Sequence, residues 1–391
     1  MPDADAGTIP LANQRSAFAV PDDVAYFNTA SLSPMLHRAL DAGHEALRRR
    51  AAPWTIDTPD WFSGVERLRG LVAGLFGGDA EGVALVPASS YGLATVARNL
   101  PIRPGETIVV PQEEYPSAVY TWRTCARDTG ARIVTVRRAA GQGWADAVVA
   151  AVDRGTAVVS VPQVHWTDGA LVDLDAVADR CRQVGAHLVI DASQSLGAMP
   201  LDVTTLKPDA VVSVGYKWLL GPVGRAYLWL AEQHRDGRPL EENWIARAGA
   251  DDFAALVDYR DDYQPGARRF DQGARTLLEL TPVAIAALEQ IHEWGVERIA
   301  AALRRVTADI TDRLGAQGLV PSAPANGRGP HLLGVPVPPE ARDGLLPALE
   351  RAGCHAGLRG TSLRIAPHLH VTPDDVDRLV AAVAAALHGG S

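Results

Sequence analysis

The sequence lacks the features that mark secreted, membrane-bound and nucleic-acid-binding proteins. Only three of its 391 residues are cysteine, and they are too scattered to form a CxxC metal site or a disulfide framework. The net charge of −9 disfavours nucleic acid and anionic membranes as partners, because both require a basic surface. No apolar run reaches transmembrane length, and the acidic start "MPDADAGTIPLANQ" is unlike a signal peptide. We therefore expect a cytoplasmic protein.

Motifs of two common classes of enzyme are also missing. The sequence contains no GxxxxGK motif, and no GxGxxG motif follows a predicted strand, so a nucleotide-binding enzyme is a weak alternative. The segment "IHEWGVER" lacks the second histidine of an HExxH zinc site, and "PHLHV" alone does not make one. We predict no metal site.

Short apolar runs rich in Val and Ile alternate with helical or turn-rich segments along the first two thirds of the chain. Continuous apolar strands separated by helices indicate an α/β fold with a mostly parallel sheet that is covered on both faces. Two segments, "DWFSGVERLRGLVAGLFGG" and "DLDAVADRCRQVGA", are predicted helices that end at glycine. The predicted strands are "VALVP", "TIVVPQ", "AVVSVPQ", "HLVIDAS", "AVVSVG" and "AYLWLA".

The pattern changes after about Thr281. A long helical stretch is followed by the shorter strands "HLLGVPVP", "CHAGLR" and "SLRIAPH", and a last helix begins at "TPDD". We predict a loosely ordered N-terminal arm (1–25), a large domain (26–270) and a small α+β C-terminal domain (271–391). The segment "QPGARRFDQGART" is the predicted crossing between the two domains.

Polar and aromatic residues follow four of the predicted strands, where parallel sheets bind their ligands. Taken singly, each has an ordinary structural explanation, such as a helix cap for the serines and the aspartate or core packing for the tyrosine. Their co-occurrence favours a joint site, because this topology would bring all four strand ends to one cleft. The residues are Ser89 and Ser90, Tyr115, Asp191, and the pair Tyr216 and Lys217.

These residues match the chemical requirements of pyridoxal phosphate. The cofactor needs a lysine that holds its aldehyde as an imine and a carboxylate that keeps its pyridine nitrogen protonated, and Lys217 and Asp191 meet these needs. It also needs an anion cradle for its phosphate, which Ser89–Ser90 offers, and a flat group against its ring, which Tyr115 offers. A lysine nucleophile must be partly desolvated to be neutral near pH 7, which explains a lysine at the end of an apolar run.

The chain resembles the class V aminotransferase group of fold-type I pyridoxal phosphate enzymes, which includes cysteine desulfurases, kynureninases and isopenicillin-N-epimerase-like proteins. The resemblance runs from "YFNTASLSP" to "LRIAPHLHVTPDDVDRL" and depends most on "DASQSLG" followed about 25 residues later by "GYKWLLGPVG". It implies a fold-type I architecture with a mostly parallel, seven-stranded sheet in the large domain. It also implies a homodimer with the site at the subunit interface.

The resemblance extends the set of expected site residues. Lys217, Asp191 and Tyr115 take the catalytic positions, as Schiff-base lysine, pyridine-nitrogen partner and ring-stacking residue. Gln194 matches a contact to the ring hydroxyl. The other expected cofactor contacts are Ser89, Ser90 and Tyr216 near the phosphate and Trp166 facing the cofactor.

Two residues are expected to bind the substrate. Arg364, in "SLRIAPHLH", matches the arginine that holds a substrate carboxylate, a task suited to its planar fork of donors. Its alternative role is a surface or interdomain ion pair. Asn28, in "YFNTASLSP", is the second predicted substrate contact.

The departures from the family pattern are informative. Cysteine desulfurases carry a catalytic cysteine on a loop before the carboxylate arginine, but "RAGCHAGLRGTSLRI" is too short for that loop, so Cys354 is expected to pack in the core. Trp166 stands where desulfurases have asparagine and kynureninase-like relatives have an aromatic residue. The partner subunit's phosphate-binding threonine of many relatives is replaced by Ala274, with Arg275 or Thr276 as possible substitutes.

The resemblance implies an enzyme that acts at the Cα of an α-amino acid or amine, with Lys217 as the base. Transamination and β-elimination, including carbon–sulfur cleavage, are the favoured outcomes. Epimerisation and decarboxylating or deaminating chemistry are alternatives, and a non-enzymatic alternative is a sensor domain that binds the same cofactor.

Overall fold

The computed structural model describes residues 11–139 and 141–388. Within these ranges, none of the helices combines the length and the apolarity needed to cross a bilayer. In chain order, the strands are β1 (Ala25–Tyr26), β2 (Val83–Val86), β3 (Thr107–Pro111), β4 (Arg132–Val136), β5 (Thr156–Pro162), β6 (His187–Asp191), β7 (Ala210–Val214), β8 (Ala226–Leu230), β9 (Leu333–Pro336), β10 (Cys354–His355), β11 (Gly357–Arg359) and β12 (Ser362–Ile365).

The helices cover both faces of the main sheet and one side of the small domain. They are α1 (His37–Arg50), α2 (Ser63–Phe76), α3 (Ser89–Asn99), α4 (Pro116–Thr129), α5 (Trp144–Ala151), α6 (Leu174–Val184), α7 (Val203–Leu206), α8 (Thr281–Trp294), α9 (Val296–Gly315), α10 (Arg342–Arg351) and α11 (Pro373–His388). Both helices predicted to end at glycine do so, at Gly77 after α2 and at Gly185 after α6, where the backbone is left-handed.

The main sheet has seven strands in the order β2-β8-β7-β6-β5-β3-β4. All pairs are parallel except those of β8, which runs antiparallel to both β2 and β7. Successive side chains of a strand face opposite sides, so Val211 packs into the core under α2, α5 and α6 while Val212 packs into the core under α3 and α4. The predicted α/β fold with a mostly parallel seven-stranded sheet is confirmed.

Strand β4 has no counterpart among the apolar runs singled out in the sequence. It lies at the edge of the sheet and pairs only with β3. Because an edge strand is half solvated, its sequence "RIVTV" exposes Arg132 and Thr135 and buries only Val136 fully. Its pattern therefore lacks the continuous apolar run that marks the inner strands.

The small domain contains an antiparallel sheet in the order β11-β12-β9 and a separate parallel pair, β1 with β10. Helix α11 begins with a reciprocal cap, since the Thr372 N–H donates to the Asp375 carboxylate and the Asp375 N–H donates to the Thr372 hydroxyl. The predicted α+β character and the Thr-x-x-Asp start of the last helix both appear in this arrangement.

The packing at the predicted domain boundaries is continuous. Residues 11–25 are not a loose arm, because Phe18 is buried beside Trp294 and Arg15 forms an ion pair with Asp375. Residues 1–10 of that arm lie outside the described residues. Helix α8 packs on α1 and α2, and β1 belongs to the small domain's pairing. The division at residues 25 and 270 stays a prediction.

A buried ion triad ties the predicted crossing segment to the main sheet. The carboxylate of Asp271 accepts from Arg69 and from Arg275, each at 2.8 Å, and from the Leu85 N–H at 2.7 Å. All three charged side chains are almost fully buried. Burial alone would raise the pKa of Asp271, but the two guanidiniums outweigh it and lower that pKa.

We predict that Asp271→Ala lowers the free energy of unfolding by about 3–5 kcal/mol, because it removes the buried counter-charge of both guanidiniums and leaves Arg69 with only the partly exposed Glu66. Urea denaturation followed by circular dichroism measures the change. Asp236→Ala is the control: Asp236 also bonds an arginine, Arg269, but is exposed, so stability should stay near that of the wild type. Equal stability of the two variants would contradict this role of the triad.

Candidate active site

The site lies at the carboxyl edge of the main sheet. Strand β6 ends at Asp191, and the neighbouring parallel strand β7 ends at Val214, three residues before Lys217. Because parallel neighbours end at the same edge, the carboxylate and the amine face one pocket. Of the residues predicted to contact the cofactor, those lining this pocket are Ser89, Tyr115, Trp166, Asp191, Gln194, Tyr216 and Lys217.

Ser90 is the predicted cofactor residue that does not line the pocket. It is exposed at the start of α3, whereas its neighbour Ser89 is buried and faces the pocket. Successive residues of a helix differ in direction by about 100°, and here only Ser89 faces inward. A direct contact from Ser90 to the cofactor stays a prediction.

Lys217 is 7% exposed, and burial lowers the pKa of its amine to about 8. The charge of Asp191 opposes this shift, while those of Arg364 and Arg359 add to it. The Nζ atom lies 5.3 Å from the ring centre of Tyr115 and 5.9 Å from that of Tyr216. Lys217 is also one of only two lysines in the sequence, the other being the exposed Lys207.

Asp191 is held by its own backbone turn. One of its carboxylate oxygens accepts from the Ser193 N–H at 2.8 Å, and Asp191 forms no ion pair with any described residue. The Ser193 hydroxyl also lines the pocket and is buried without a hydrogen-bond partner. Sequence reasoning overlooked Ser193, although it lies within the quoted "DASQ"; a serine between two site residues was the available signal.

The start of α3 presents free donors to the pocket. The residue before the helix is Ala88, which has no side chain that could cap the first N–H groups. The helix also lies close to β7, since a Cβ at Gly92 would approach a Val212 methyl to 2.9 Å. Glycine at this position allows the helix start and Ser89 to sit directly over the strand end.

Tyr115 is positioned by Trp166. The two rings meet edge to face with their centres 5.6 Å apart. The Trp166 indole N–H donates to the carbonyl of Glu113 at 2.7 Å. Glu113 has a left-handed backbone (φ 58°), which is costly for a residue with a Cβ, so this bond stabilises the turn that leads into Tyr115.

The amide of Gln194 has one defined orientation. Its oxygen accepts from the Trp218 indole N–H at 2.9 Å, and its nitrogen donates to the Ala30 carbonyl at 3.0 Å. An indole can only donate and a carbonyl can only accept, so the two partners together exclude the flipped amide. The His331 ring also forms a hydrogen bond with the backbone carbonyl of Gln194. One amide N–H of Gln194 remains available at the pocket.

Arg364 lies beside the pocket, on β12, and is 1% exposed. Its guanidinium donates to the Trp166 carbonyl at 3.2 Å, to Asn28 Oδ1 at 3.4 Å and to the Ser31 hydroxyl at 2.5 Å. Burial and the neighbouring charge of Arg359 lower the pKa of Arg364. The two predicted substrate residues, Arg364 and Asn28, are thus in contact with each other.

Glu114 is a second pocket residue that received no role in the sequence analysis. Burial raises the pKa of its carboxyl to about 7, against the opposing charge of His165. One of its oxygens accepts from the Tyr115 N–H at 2.6 Å. Its position in "QEEYPS" gave no signal, because adjacent acidic residues in a loop are usually solvated.

Other residues singled out in the sequence lie inside the fold. Cys354 is 2% exposed in the core of the small domain, and burial raises the pKa of its thiol, so it packs as expected. Arg275 is engaged in the buried triad, and Thr276 is buried and donates to the Trp61 carbonyl. A contact of either residue with a partner subunit stays a prediction.

The histidines of "PHLHV", His368 and His370, are buried, and burial lowers the pKa of both. A cluster with metal-ligand character occurs elsewhere, at the opposite edge of the sheet. There Asp209 accepts from His187 at 2.8 Å and from His234 at 2.6 Å, which are hydrogen-bond lengths. We interpret this cluster as a tie between β6 and β8.

Comparison with solved structures gives the same fold over nearly the whole chain. A mutant of C-DES with glycine covalently linked to the pyridoxal phosphate cofactor superposes with a TM-score of 0.85 at 18% identity, covering 95% of this chain and 98% of that one. An apo cysteine desulfurase from Thermococcus onnurineus NA1 superposes with a TM-score of 0.82 at 19% identity, covering 96% and 97%. The fold is that of fold-type I pyridoxal phosphate enzymes.

Sequence comparison identifies the family. A family model described as Aminotransferase class-V matches residues 26–378, so the chain belongs to the class V aminotransferase family, whose members are enzymes that use pyridoxal phosphate. An uncharacterized aminotransferase, YcbU of Bacillus subtilis (strain 168), is 26% identical over 373 residues, 93% of each chain. A kynureninase of Burkholderia mallei (strain SAVP1) is 28% identical over 295 residues, 70% of this chain and 67% of that one.

We predict that Lys217→Met stabilises the cofactor-free protein in a pH-dependent way. With a folded pKa of about 8 and an unfolded pKa of about 10.4, the unfolded chain binds more protons between these values. Wild-type stability should therefore rise with pH across this window. The advantage of the variant should be largest below pH 8, up to about 3 kcal/mol, and vanish towards pH 10.4.

Chemical denaturation at a series of pH values measures this difference. Lys207→Met is the matched control, because it removes the only other lysine, which is exposed. A stability difference between wild type and Lys217→Met that stays constant from pH 7 to pH 10.4 would contradict the desolvation of the amine.

Proposed function

We propose that the chain uses pyridoxal phosphate on Lys217 to act at the Cα of an α-amino acid, by transamination or β-elimination. The observation that carries the proposal is the placement of Lys217, a buried amine with a pKa of about 8, in one pocket with Asp191 and next to the unpaired guanidinium of Arg364. Asp191, which could accept from the pyridine nitrogen, and Arg364, which could hold the substrate carboxylate, thus both act on the same amine.

The pocket residues fit this cofactor. Lys217 offers an amine that is easily neutralised, and Asp191 has a carboxylate with no other cation beside it among the described residues. Ser193 offers a buried hydroxyl without a partner, and Ser89 stands at an uncapped helix start suited to a phosphate. Gln194 offers an oriented amide N–H. When bound, the cofactor acts as an electron sink for charge that develops at Cα.

Lys217 has two tasks in this scheme. Its neutral amine would hold the cofactor, and when free it would accept the proton from Cα of the substrate. A pKa of about 8 suits both, because about a tenth of the amine is already neutral at pH 7 and the protonated form can return the proton. Tyr115, 5.3 Å from Nζ at its ring centre, limits where the amine can move.

Arg364 orients the substrate. A guanidinium that is 1% exposed and has no carboxylate partner among the described residues is an anion site, and its fork of donors suits a carboxylate. With the carboxylate held there, the remaining bonds of Cα have a defined direction towards Lys217. Asn28, whose oxygen already contacts Arg364, keeps an amide N–H for the same carboxylate.

The fate of the amino nitrogen distinguishes the two branches. Transamination moves the nitrogen to a second keto acid, whereas β-elimination releases it as ammonia together with the keto acid product. The relatives include proteins named as an aminotransferase and a kynureninase, and C-DES is described as a cystine C–S lyase. Incubation with ¹⁵N-labelled amino acids, with and without a keto acid acceptor, separates the branches.

We also propose that the protein is a cytoplasmic homodimer. Apolar side chains lie exposed in the segment between β8 and α8, where Val257 is 75% exposed, Tyr259 95% and Trp244 42%. Exposed apolar clusters of this kind mark protein interfaces. All three cysteines are unpaired, which suits a reducing compartment. Sedimentation of the wild type should give twice the chain mass, and a concentration-independent monomer would contradict the dimer.

We predict that Arg364→Ala lowers kcat/KM for α-amino acids by about 10- to 100-fold, the worth of one charge-assisted hydrogen-bonded contact. The loss should appear mainly in KM, while cofactor content, read from the absorption spectrum, stays close to that of the wild type. Arg48→Ala is the control, since Arg48 is 70% exposed in a helical pair with Glu45. Unchanged turnover in Arg364→Ala would contradict the proposed substrate class.

A further inference from the structure

A second arginine faces the same place as Arg364. Arg359 lies on β11, which pairs antiparallel with β12 so that Gly357 is opposite Arg364. Opposite residues share a face of a sheet, and so do residues two apart on one strand, so Arg359 and Arg364 project from the same face of this hairpin. Leu363 occupies the other face and is fully buried in the core.

The two guanidiniums converge on one hydroxyl. Arg359 Nη2 lies 3.0 Å from Ser31 Oγ, and Arg364 Nη2 lies 2.5 Å from the same atom. A hydroxyl oxygen has two lone pairs, so Ser31 can accept from both arginines at once, but it supplies no charge to either. A Cβ at Gly357 would lie 3.4 Å from both Arg359 Nη1 and Asn28 Oδ1, which places Asn28 at the same spot.

No carboxylate compensates this pair of charges. Neither arginine forms an ion pair with any described residue, and the other bond of Arg359 goes to the Leu358 carbonyl beside it. The charge of Arg359 reaches the amine of Lys217 and the guanidinium of Arg364, lowering the pKa of both. Two close cations without an anion repel each other, so the arrangement favours binding of more than one negative group.

Resting on the proposed function, we infer that the substrate carries a second anionic group beyond its α-carboxylate, and that Arg359 binds it. The class is acidic amino acids, with a side-chain carboxylate or an equivalent oxyanion. Arg364 is the more buried of the two and is bonded to the Trp166 carbonyl at the pocket wall, so it takes the α-carboxylate. Arg359 is partly exposed and binds the second anionic group, which is farther from Cα.

The test compares matched anions on the holoenzyme. Succinate and succinamate differ only in one carboxylate, as do glutarate and glutaramate, and neither pair has an amino group that could react. Calorimetry should show the dicarboxylate of at least one pair binding tenfold or more tightly than its amide. In Arg359→Gln that ratio should fall at least fivefold, while Arg48→Gln, altered at an exposed arginine, should keep it.

Two results would overturn the inference: a dicarboxylate-to-amide affinity ratio below tenfold in the wild type for both pairs, or a fall of that ratio of less than fivefold in Arg359→Gln. Either result would indicate that both arginines bind the same carboxylate. Steady-state turnover of aspartate against asparagine and glutamate against glutamine gives an independent readout, because only the acidic member should lose kcat/KM in Arg359→Gln. The visible absorption of the bound cofactor is recorded alongside. A failure of cofactor binding would refute the proposed function, whereas a coloured enzyme that ignores the second carboxylate refutes only this inference.

Discussion

Desolvation of the Lys217 amine is the constraint on which the site depends. An amine in water keeps its proton well above neutral pH, whereas at the end of β7 burial lowers its pKa to about 8. The surroundings that cause this shift are also the walls of the pocket: the rings of Tyr115 and Tyr216 and the strand end itself. Asp191 opposes the shift, so the pKa of the amine stays near neutral pH instead of falling further.

The side chains around the site carry more positive than negative charge. Lys217, Arg364 and Arg359 lie around a pocket lined by the carboxyls of Asp191 and Glu114, and burial raises the pKa of Glu114 to about 7. The excess of positive charge is matched by ligands with negative groups: a phosphate at the start of α3 and carboxylates at the two arginines. Binding of anionic ligands therefore neutralises a cluster of cations that the folded chain brings together.

Much of this arrangement could be predicted from the sequence, because the inner strands of a parallel sheet are continuous apolar runs and the residues after them share one edge. That rule located Ser89, Tyr115, Asp191 and Lys217, and the structure brings all four to one pocket. It could not locate β4, whose half-exposed edge position removes the apolar run. Nor could it distinguish Ser89 from Ser90, which depends on the rotation of α3.

Local sequence patterns could not predict contacts between segments that are far apart in the chain. The orientation of the Gln194 amide depends on Trp218 and Ala30, and the hydroxyl on which Arg359 and Arg364 converge belongs to Ser31, more than 300 positions away in the chain. In the sequence, Arg359 was only the last residue of the predicted strand "CHAGLR". Antiparallel register is what turned two arginines five positions apart into neighbours on one face.

The most direct test of the central claim is borohydride reduction of the protein in the presence of pyridoxal phosphate, followed by peptide mass spectrometry. The sequence has only two lysines, the buried Lys217 and the exposed Lys207, so each serves as the control for the other. The account predicts a visible absorption band that borohydride removes and a stoichiometric label on Lys217, with Lys207 unlabelled. A label on both lysines alike, or none on Lys217, would contradict it.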